Sequence, residues 1–225
     1  MNYEIIGTTM QAVEITLATG ESVVTEAGGM AWISGEVDMS TKAEGGLFGG
    51  IKRKLAGESF FQTTYTAKED NCLISFNPYA PGKVLPLELT GSNEYVLQRD
   101  AFMVSETTVE RDIHFQRRLG AGFFGGEGFI LQRVYGTGVI FVEVPGEVVV
   151  KELAPNEELK VDPGHIALYD STIDFDVKRN EGVRNIVFSG EGLFLAHLRG
   201  PGRVWLQTMT LQNLAAKISQ HSPSS

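Results

Sequence analysis

The four histidines and the single cysteine are the residues best able to bind a metal or act as nucleophiles. The histidines are His114, His165, His197 and His221, and no two of them form a His-x-His pair. No carboxylate or cysteine completes a set at metal-ligand spacing. The chain lacks a Gly-x-Ser-x-Gly elbow, and Cys72 directly precedes a strand pattern, as a structural cysteine does. We therefore expect no metal ligand, no catalytic residue and no bound cofactor.

A run from Gly45 to Gly57 places apolar residues beside basic ones. It is not a phosphate-binding loop, because that motif needs Gly-Lys followed by Ser or Thr, and Ile51 follows Gly50 here. Three consecutive basic residues lie close to two apolar tips in an acidic chain. An anionic membrane surface suits this combination, since each basic residue contributes roughly 1 kcal/mol there. A subunit interface or buried role and an ordinary loop are the alternatives, and all of them stay open.

A second apolar loop, Gly-Phe-Phe-Gly over residues 122–125, occupies the matching place in a later part of the chain. It has apolar tips but no basic cluster. The matching place in a third part of the chain has no such glycine pair, and because of this asymmetry we expect this end of the protein to meet a partner. The candidate contact residues of the two loops are Leu47, Phe48, Lys52, Arg53, Lys54, Phe123 and Phe124.

Composition narrows the classes of function. The 225 residues include 19 Lys and Arg against 28 Asp and Glu, which gives a net charge of −9. Such acidity disfavours binding to the phosphate backbone, so nucleic acid is not an expected partner. One cysteine excludes a disulfide scaffold. No signal-peptide pattern and no apolar run of about 18 residues is present, so we expect a cytoplasmic protein, peripheral to a membrane at most.

One sequence pattern recurs three times. The segment Val23–Ile33 matches Leu159–Tyr169 without a gap, with Gly28 on Gly164 and Ala31 on Ala167. A middle copy starts at Tyr95, which corresponds to Val23 in the first copy and to Leu159 in the third. Repeats of this kind predict structural units that bury a shared core. We place them at approximately 11–82, 83–146 and 147–210 of one compact unit that spans 1–225.

The segments alternate apolar and polar residues with a period of two, as in Ala12–Leu17, which is typical of half-buried strands. The Gly-x-Gly units at 136–138 and 200–202 are interpreted as tight hairpin turns. Helical spacing of apolar residues occurs at 211–219, before a flexible tail at 220–225. Trp32 and Trp205 lie within strand patterns and are expected mostly in the core. The fold class is therefore all-β with a short C-terminal helix.

Two long motifs resemble a known family. They are the run from Gly45 to Phe61 and the run from Gly125 to Arg133, which is followed by Gly-Thr-Gly. Together they are similar to the bacterial branch of the "altered inheritance of mitochondria 24" proteins. The resemblance implies three tandem double-stranded β-helix repeats, like the tryptophan RNA-binding attenuation protein (TRAP), in a pseudo-threefold arrangement. It implies membrane proximity only as a hint, and it supplies no catalytic residues.

These observations predict a non-enzymatic, self-assembling scaffold or membrane-adjacent adaptor. Because homo-oligomers favour closed symmetry, we expect a trimer or a multiple of it. Its other partner would be an anionic membrane surface or a protein. The alternative is a small-molecule-binding module or cryptic enzyme with a pocket inside a β-barrel-like repeat. RNA binding, suggested by the fold resemblance alone, is the third and weakest possibility.

Overall fold

The computed structural model describes residues 1–26, 28–43, 61–117, 128–179 and 194–221. These residues form eighteen β-strands, two short 3₁₀ turns and one C-terminal α-helix, α1 (Leu211–His221). The strands are β1 (Asn2–Ile6), β2 (Ala12–Leu17), β3 (Ser22–Glu26), β4 (Met30–Ser34), β5 (Val37–Ala43), β6 (Phe61–Ala67), β7 (Cys72–Phe76), β8 (Gly82–Thr90), β9 (Tyr95–Gln98), β10 (Phe102–Glu106), β11 (Val109–Arg117), β12 (Phe129–Pro145), β13 (Val148–Leu153), β14 (Glu158–Val161), β15 (Ile166–Asp170), β16 (Asp174–Arg179), β17 (Phe194–Arg199) and β18 (Gly202–Gln207).

The period-two alternation explains why these segments are strands. In β2, the side chains of Val13, Ile15 and Leu17 are buried, while Glu14 and Thr16 are half-buried. Successive side chains of a strand point to opposite faces, so this sequence places one row in a core and the other towards water. The predicted all-β fold class is confirmed.

Contacts divide the chain into two compact units. The first unit comprises Met1–Ser92, Asp100–Glu110 and Tyr135–Val144. One of its sheets has the order β1-β2-β7-β4, and the other runs from the second half of β12 through β10, β3 and β6 to β5. Inward-facing residues of both sheets form one core, which includes Ile15, Ile74, Val104 and Phe141.

The second unit comprises Asn93–Arg99, Arg111–Val134 and Pro145–Ser225. Its larger sheet has the order β13-β18-β15-β9 and continues into the first half of β12, and its smaller sheet has the order β14-β17-β16. Leu131, Tyr169, Leu198 and Val204 lie in the core of this unit. The Tyr169 ring stacks on that of Phe175, with 5.6 Å between ring centroids.

An irregularity in strand pairing recurs at three places. It lies between Met30 and Trp32 in β4, between Phe102 and Val104 in β10, and between Ile166 and Leu168 in β15. The repeat predicted from the sequence aligns these three positions with one another. Bulges of this kind bend a strand, so the three strands share a local shape as well as a sequence pattern.

The Gly-x-Gly units are not hairpin turns, so that prediction is wrong. Gly136 and Gly138 lie inside the continuous strand β12, with φ angles of 102° and 121°. A Cβ atom at Gly136 would lie 2.5 Å from the Thr108 carbonyl oxygen, so glycine is needed for this close approach as well as for its φ. The unit at 200–202 joins β17 to β18, which pair with different strands in different sheets.

The predicted C-terminal helix is confirmed and extends two residues further, to His221. Thr210 caps it, because its hydroxyl oxygen accepts a hydrogen bond from the Asn213 backbone N–H at 3.1 Å. None of the helical residues is buried, and Ile218 is 60% exposed. Residues 222–225 of the predicted tail lie outside the described residues. Within the described part of the chain, no helix is long and apolar enough to cross a membrane.

Candidate functional site

The contact residues expected from the sequence all lie outside the residues that the structure describes. This applies to Leu47, Phe48, Lys52, Arg53 and Lys54 in the first loop and to Phe123 and Phe124 in the second. The backbone positions that flank the first loop are described, and Ala43 pairs with Phe61 there. Both candidate loops stay predictions.

Strand β4 ends its sheet and carries an exposed indole. Trp32 is 42% exposed, although its place in a strand pattern suggested a core position. Its Nε1–H donates a hydrogen bond to Glu14 Oε1 at 3.0 Å, which fixes the ring above the neighbouring strands. Among the described strands, β4 pairs with β7 alone. The edge of β4 is therefore a surface on which another strand can add.

The residues that correspond to Trp32 in β10 and β15 are buried. Val104 in β10 and Leu168 in β15 follow the same irregularity as Trp32, and each is 0% exposed. Each of those two strands has a strand on both sides: β10 lies between β12 and β3, and β15 lies between β18 and β9. Trp32 therefore differs from these two residues in burial, and β4 differs from their strands in having one described partner strand instead of two.

Strand β14 ends the smaller sheet of the second unit. In the part of the chain that is described, it pairs with β17 alone. Val161 is buried, whereas Glu158 and Lys160 are exposed. His197 Nδ1 lies 2.8 Å from Glu158 Oε1, and this hydrogen bond lowers the pKa of the carboxyl, helped by the charge of Lys160 at 3.7 Å. Strand β14 therefore carries one acidic residue, Glu158, and one basic residue, Lys160, so their charges balance.

The first unit also buries one carboxyl group that sequence reasoning missed. Glu143 in β12 is 4% exposed and accepts a hydrogen bond from the Tyr79 backbone N–H at 2.9 Å. Burial raises its pKa to about 7, and the nearby charge of Asp100 acts in the same direction. The signal was present in the sequence, because Glu143 is the one charged residue within the apolar run Ile140–Val144.

Two other chemistry-bearing side chains have structural partners. His165 Nδ1 lies 2.7 Å from the Gln207 carbonyl oxygen, and buried Cys72 donates its Sγ hydrogen to the Glu36 carbonyl at 3.2 Å. Among the described residues, no group of three or more His, Cys, Asp or Glu side chains is arranged to hold a metal ion. The strands at the ends of the described sheets are β1, β4, β5, β13, β14 and β16. Of these, β4 with its exposed indole and β14 with its acid–base pair are taken as the candidate functional site.

Comparison with known proteins gives consistent matches over nearly the whole chain. An uncharacterized protein of Streptococcus pyogenes serotype M6, M6_Spy0233, is 28% identical over 221 residues, which cover 95% of this chain and 87% of that protein. The crystal structure of protein SPYM3_0169 from Streptococcus pyogenes superposes with a TM-score of 0.79 at 24% identity and covers 98% of this chain and 99% of that one. That likeness is one of fold alone. The family described as "Mitochondrial biogenesis AIM24" matches residues 3–209, and the chain belongs to this family.

Proposed function

We propose that this chain is a non-enzymatic scaffold that assembles with copies of itself, as a trimer or a multiple of it. The observation that carries the proposal is the 42% exposure of Trp32, because Val104 and Leu168 at the corresponding positions of β10 and β15 are completely buried. A large apolar side chain on an open strand edge is a site for a partner strand. If ~100 Å² of the indole leaves water on assembly, the contact gains ~2.5 kcal/mol at ~25 cal/mol per Å².

The proposal includes three tandem TRAP-like repeats as the building units. What supports this organisation is the recurrence of the strand irregularity at the same position of each sequence copy, before Trp32, Val104 and Leu168. A single repeat of this length has a thin core and open strand edges, so it gains stability by adding neighbours. Repeats that already pair by strand addition within a chain provide the chemistry for pairing between chains.

The membrane-adjacent role is the second part of the proposal. The sequence of residues 47–54, with two apolar tips and a Lys-Arg-Lys cluster, supports contact with anionic lipid headgroups. Assembly would multiply this contact, because each additional copy brings another basic cluster to the same surface. A scaffold of this kind would act as an adaptor between a membrane and a protein partner.

Native mass spectrometry of protein purified without denaturant tests the proposal. The expected spectrum contains a multiple of the 24.6 kDa chain with no additional mass. A monomer that carries a fixed extra mass would contradict the scaffold and favour the small-molecule-binding alternative. A bare monomer at every concentration would contradict self-assembly without favouring a ligand.

A further inference from the structure

Two strand pairings in the described chain join corresponding strands of neighbouring sequence copies in the same register. Strand β10 pairs with β3, with Val104 opposite Thr25. Strand β15 pairs with β9, with Leu168 opposite Leu97. Leu168 is the equivalent of Val104 in the next sequence copy, and Leu97 is the equivalent of Thr25. The second pairing therefore repeats the first, residue for residue.

The same correspondence between copies defines one further pairing, and both of its strands are described. The equivalent of Val104 in the first copy is Trp32 in β4, and the equivalent of Leu97 in the third copy is Val161 in β14. Strand β4 has β7 on one side, just as β10 has β12 and β15 has β18. Strand β14 has β17 on one side, just as β3 has β6 and β9 has β12. No second partner joins β4 or β14 within the described residues.

We propose that β4 of one copy pairs with β14 of a second copy as antiparallel strands, with Trp32 opposite Val161, Ile33 opposite Lys160 and Ser34 opposite Leu159. This inference rests on the proposed self-assembly and names the surfaces that perform it. The partner is a second copy of this chain, because the two edges are complementary and every chain carries one of each.

The chemistry of the two edges permits this pairing. Strand β4, with the sequence Met-Ala-Trp-Ile-Ser, has no charged residue, so it places no like charge opposite Glu158 or Lys160. Opposite residues in an antiparallel pair share a face, which sets the Trp32 indole against Val161. An aromatic residue opposite a β-branched one is a favourable cross-strand pair. The aliphatic part of Lys160 can cover Ile33 while its ammonium group stays in water.

The contact is head to tail, because two different surfaces meet. Such contacts leave one open edge of each kind at the ends of a linear chain of subunits, and they form a ring when the rotation between copies closes. A closed ring removes every exposed β4 and β14 edge. We therefore expect a discrete assembly with a fixed number of subunits.

Disulfide trapping between two singly substituted chains tests this pairing. Trp32→Cys in one chain and Val161→Cys in a second chain of distinguishable mass are co-expressed, purified together and treated with oxidised glutathione. The expected product on a non-reducing gel is a covalent dimer of one chain of each kind, at least tenfold above either single variant alone. Buried Cys72 is common to all samples and serves as the internal background.

A second pair guards against unfavourable disulfide geometry. Opposite residues alternate between longer and shorter Cα separations along an antiparallel ladder, so Ile33→Cys with Lys160→Cys samples the other spacing. The matched control is Trp32→Cys with Lys160→Cys, because a shift of one residue puts the two thiols on opposite faces. We expect at least one of the two opposite pairs to link and the control to stay unlinked.

The outcomes separate this pairing from self-assembly in general. Sedimentation of the unsubstituted chain reports whether an oligomer forms. An oligomer in which neither pair of substituted chains links overturns the β4–β14 pairing and leaves self-assembly standing. An unsubstituted chain that is monomeric overturns both. A chain that carries both cysteines and forms the disulfide within itself overturns the intermolecular pairing, because the two edges then meet in a single copy.

Discussion

Glu143 accepts a hydrogen bond from the Tyr79 backbone N–H at 2.9 Å while its side chain is almost completely removed from water. Burial raises the pKa of this carboxyl from its ordinary value of 4.5 to about 7. The folded protein therefore holds a proton here that the unfolded chain releases between these two pH values. The contribution of Glu143 to the free energy of unfolding therefore falls by ~3 kcal/mol as the pH rises from 4.5 to 7. Above pH 7 this contribution no longer changes with pH.

Glu143→Gln removes the ionisation and keeps an oxygen that accepts from Tyr79. We expect the variant to match the wild type in thermal stability near pH 4.5 and to exceed it by several degrees near pH 8. Thermal unfolding followed by circular dichroism at both pH values measures this difference. An equal difference at the two pH values would show that folding does not change the ionisation of Glu143.

Tyr169 is buried, and its hydroxyl has no hydrogen-bond partner among the described residues. An unsatisfied buried hydroxyl opposes folding, so Tyr169→Phe removes a cost and keeps the ring on Phe175. We expect the free energy of unfolding in urea to rise by up to ~1 kcal/mol. Tyr169→Leu, which loses the stacked ring, is expected to lower it. Destabilisation by Tyr169→Phe would mean that the hydroxyl is bonded in solution.

Gly136 and Gly20 both have positive φ angles but differ in their surroundings. A Cβ atom at Gly136 would meet the Thr108 carbonyl at 2.5 Å, whereas one at Gly20 would meet nothing within 4 Å. Gly20→Ala is expected to cost ~1 kcal/mol from backbone strain alone. Gly136→Ala is expected to cost at least twice as much, as measured by urea unfolding. Equal costs would contradict the close approach within β12.

Trp32→Thr tests the exposed edge without lowering strand propensity. We expect the oligomer to dissociate at concentrations at least tenfold higher than those needed for the wild type, with the fold of the chain unchanged. Met39→Thr is the matched control, because Met39 is 60% exposed on β5, another strand that ends a sheet. Light scattering over a dilution series measures both. Similar dissociation of the two variants would remove any special role for Trp32.

The role of the first glycine-flanked loop as a contact surface is tested by replacing its apolar residues and reversing one of its charges. A triple variant with Leu47→Ser, Phe48→Ser and Lys52→Glu is expected to bind anionic phosphatidylserine vesicles at least tenfold more weakly than the wild type, or to weaken assembly. Co-sedimentation with neutral phosphatidylcholine vesicles supplies the control for charge. Wild-type behaviour in both the vesicle and the assembly measurements would exclude the loop as a contact surface.

The strands were predictable because their signal is local. The alternation in Ala12–Leu17 depends only on which residues face the core, and β2 has those bounds. The helix at the end was predictable for the same reason. The Gly-x-Gly interpretation failed because a close approach by Thr108, which is distant in sequence, demands the glycine at 136.

The candidate site depends on which strands pair in the sheets, and strand pairing cannot be read from the local sequence. The apolar residues of β4 resemble those of β10, whose first four residues are buried, and Trp32 resembles a core residue until the neighbouring strands are known. The burial of Glu143, in contrast, could have been predicted from the sequence. A single charged residue within an apolar strand pattern indicates a buried charge, and this pattern is visible in the residues themselves.

Sedimentation velocity of the wild-type chain across a hundredfold range of concentration tests self-assembly most directly. The expected result is one species whose mass is a fixed multiple of 24.6 kDa and independent of concentration, as a closed ring requires. A single species of 24.6 kDa at every concentration would contradict the scaffold and, with it, the pairing of β4 and β14 between copies.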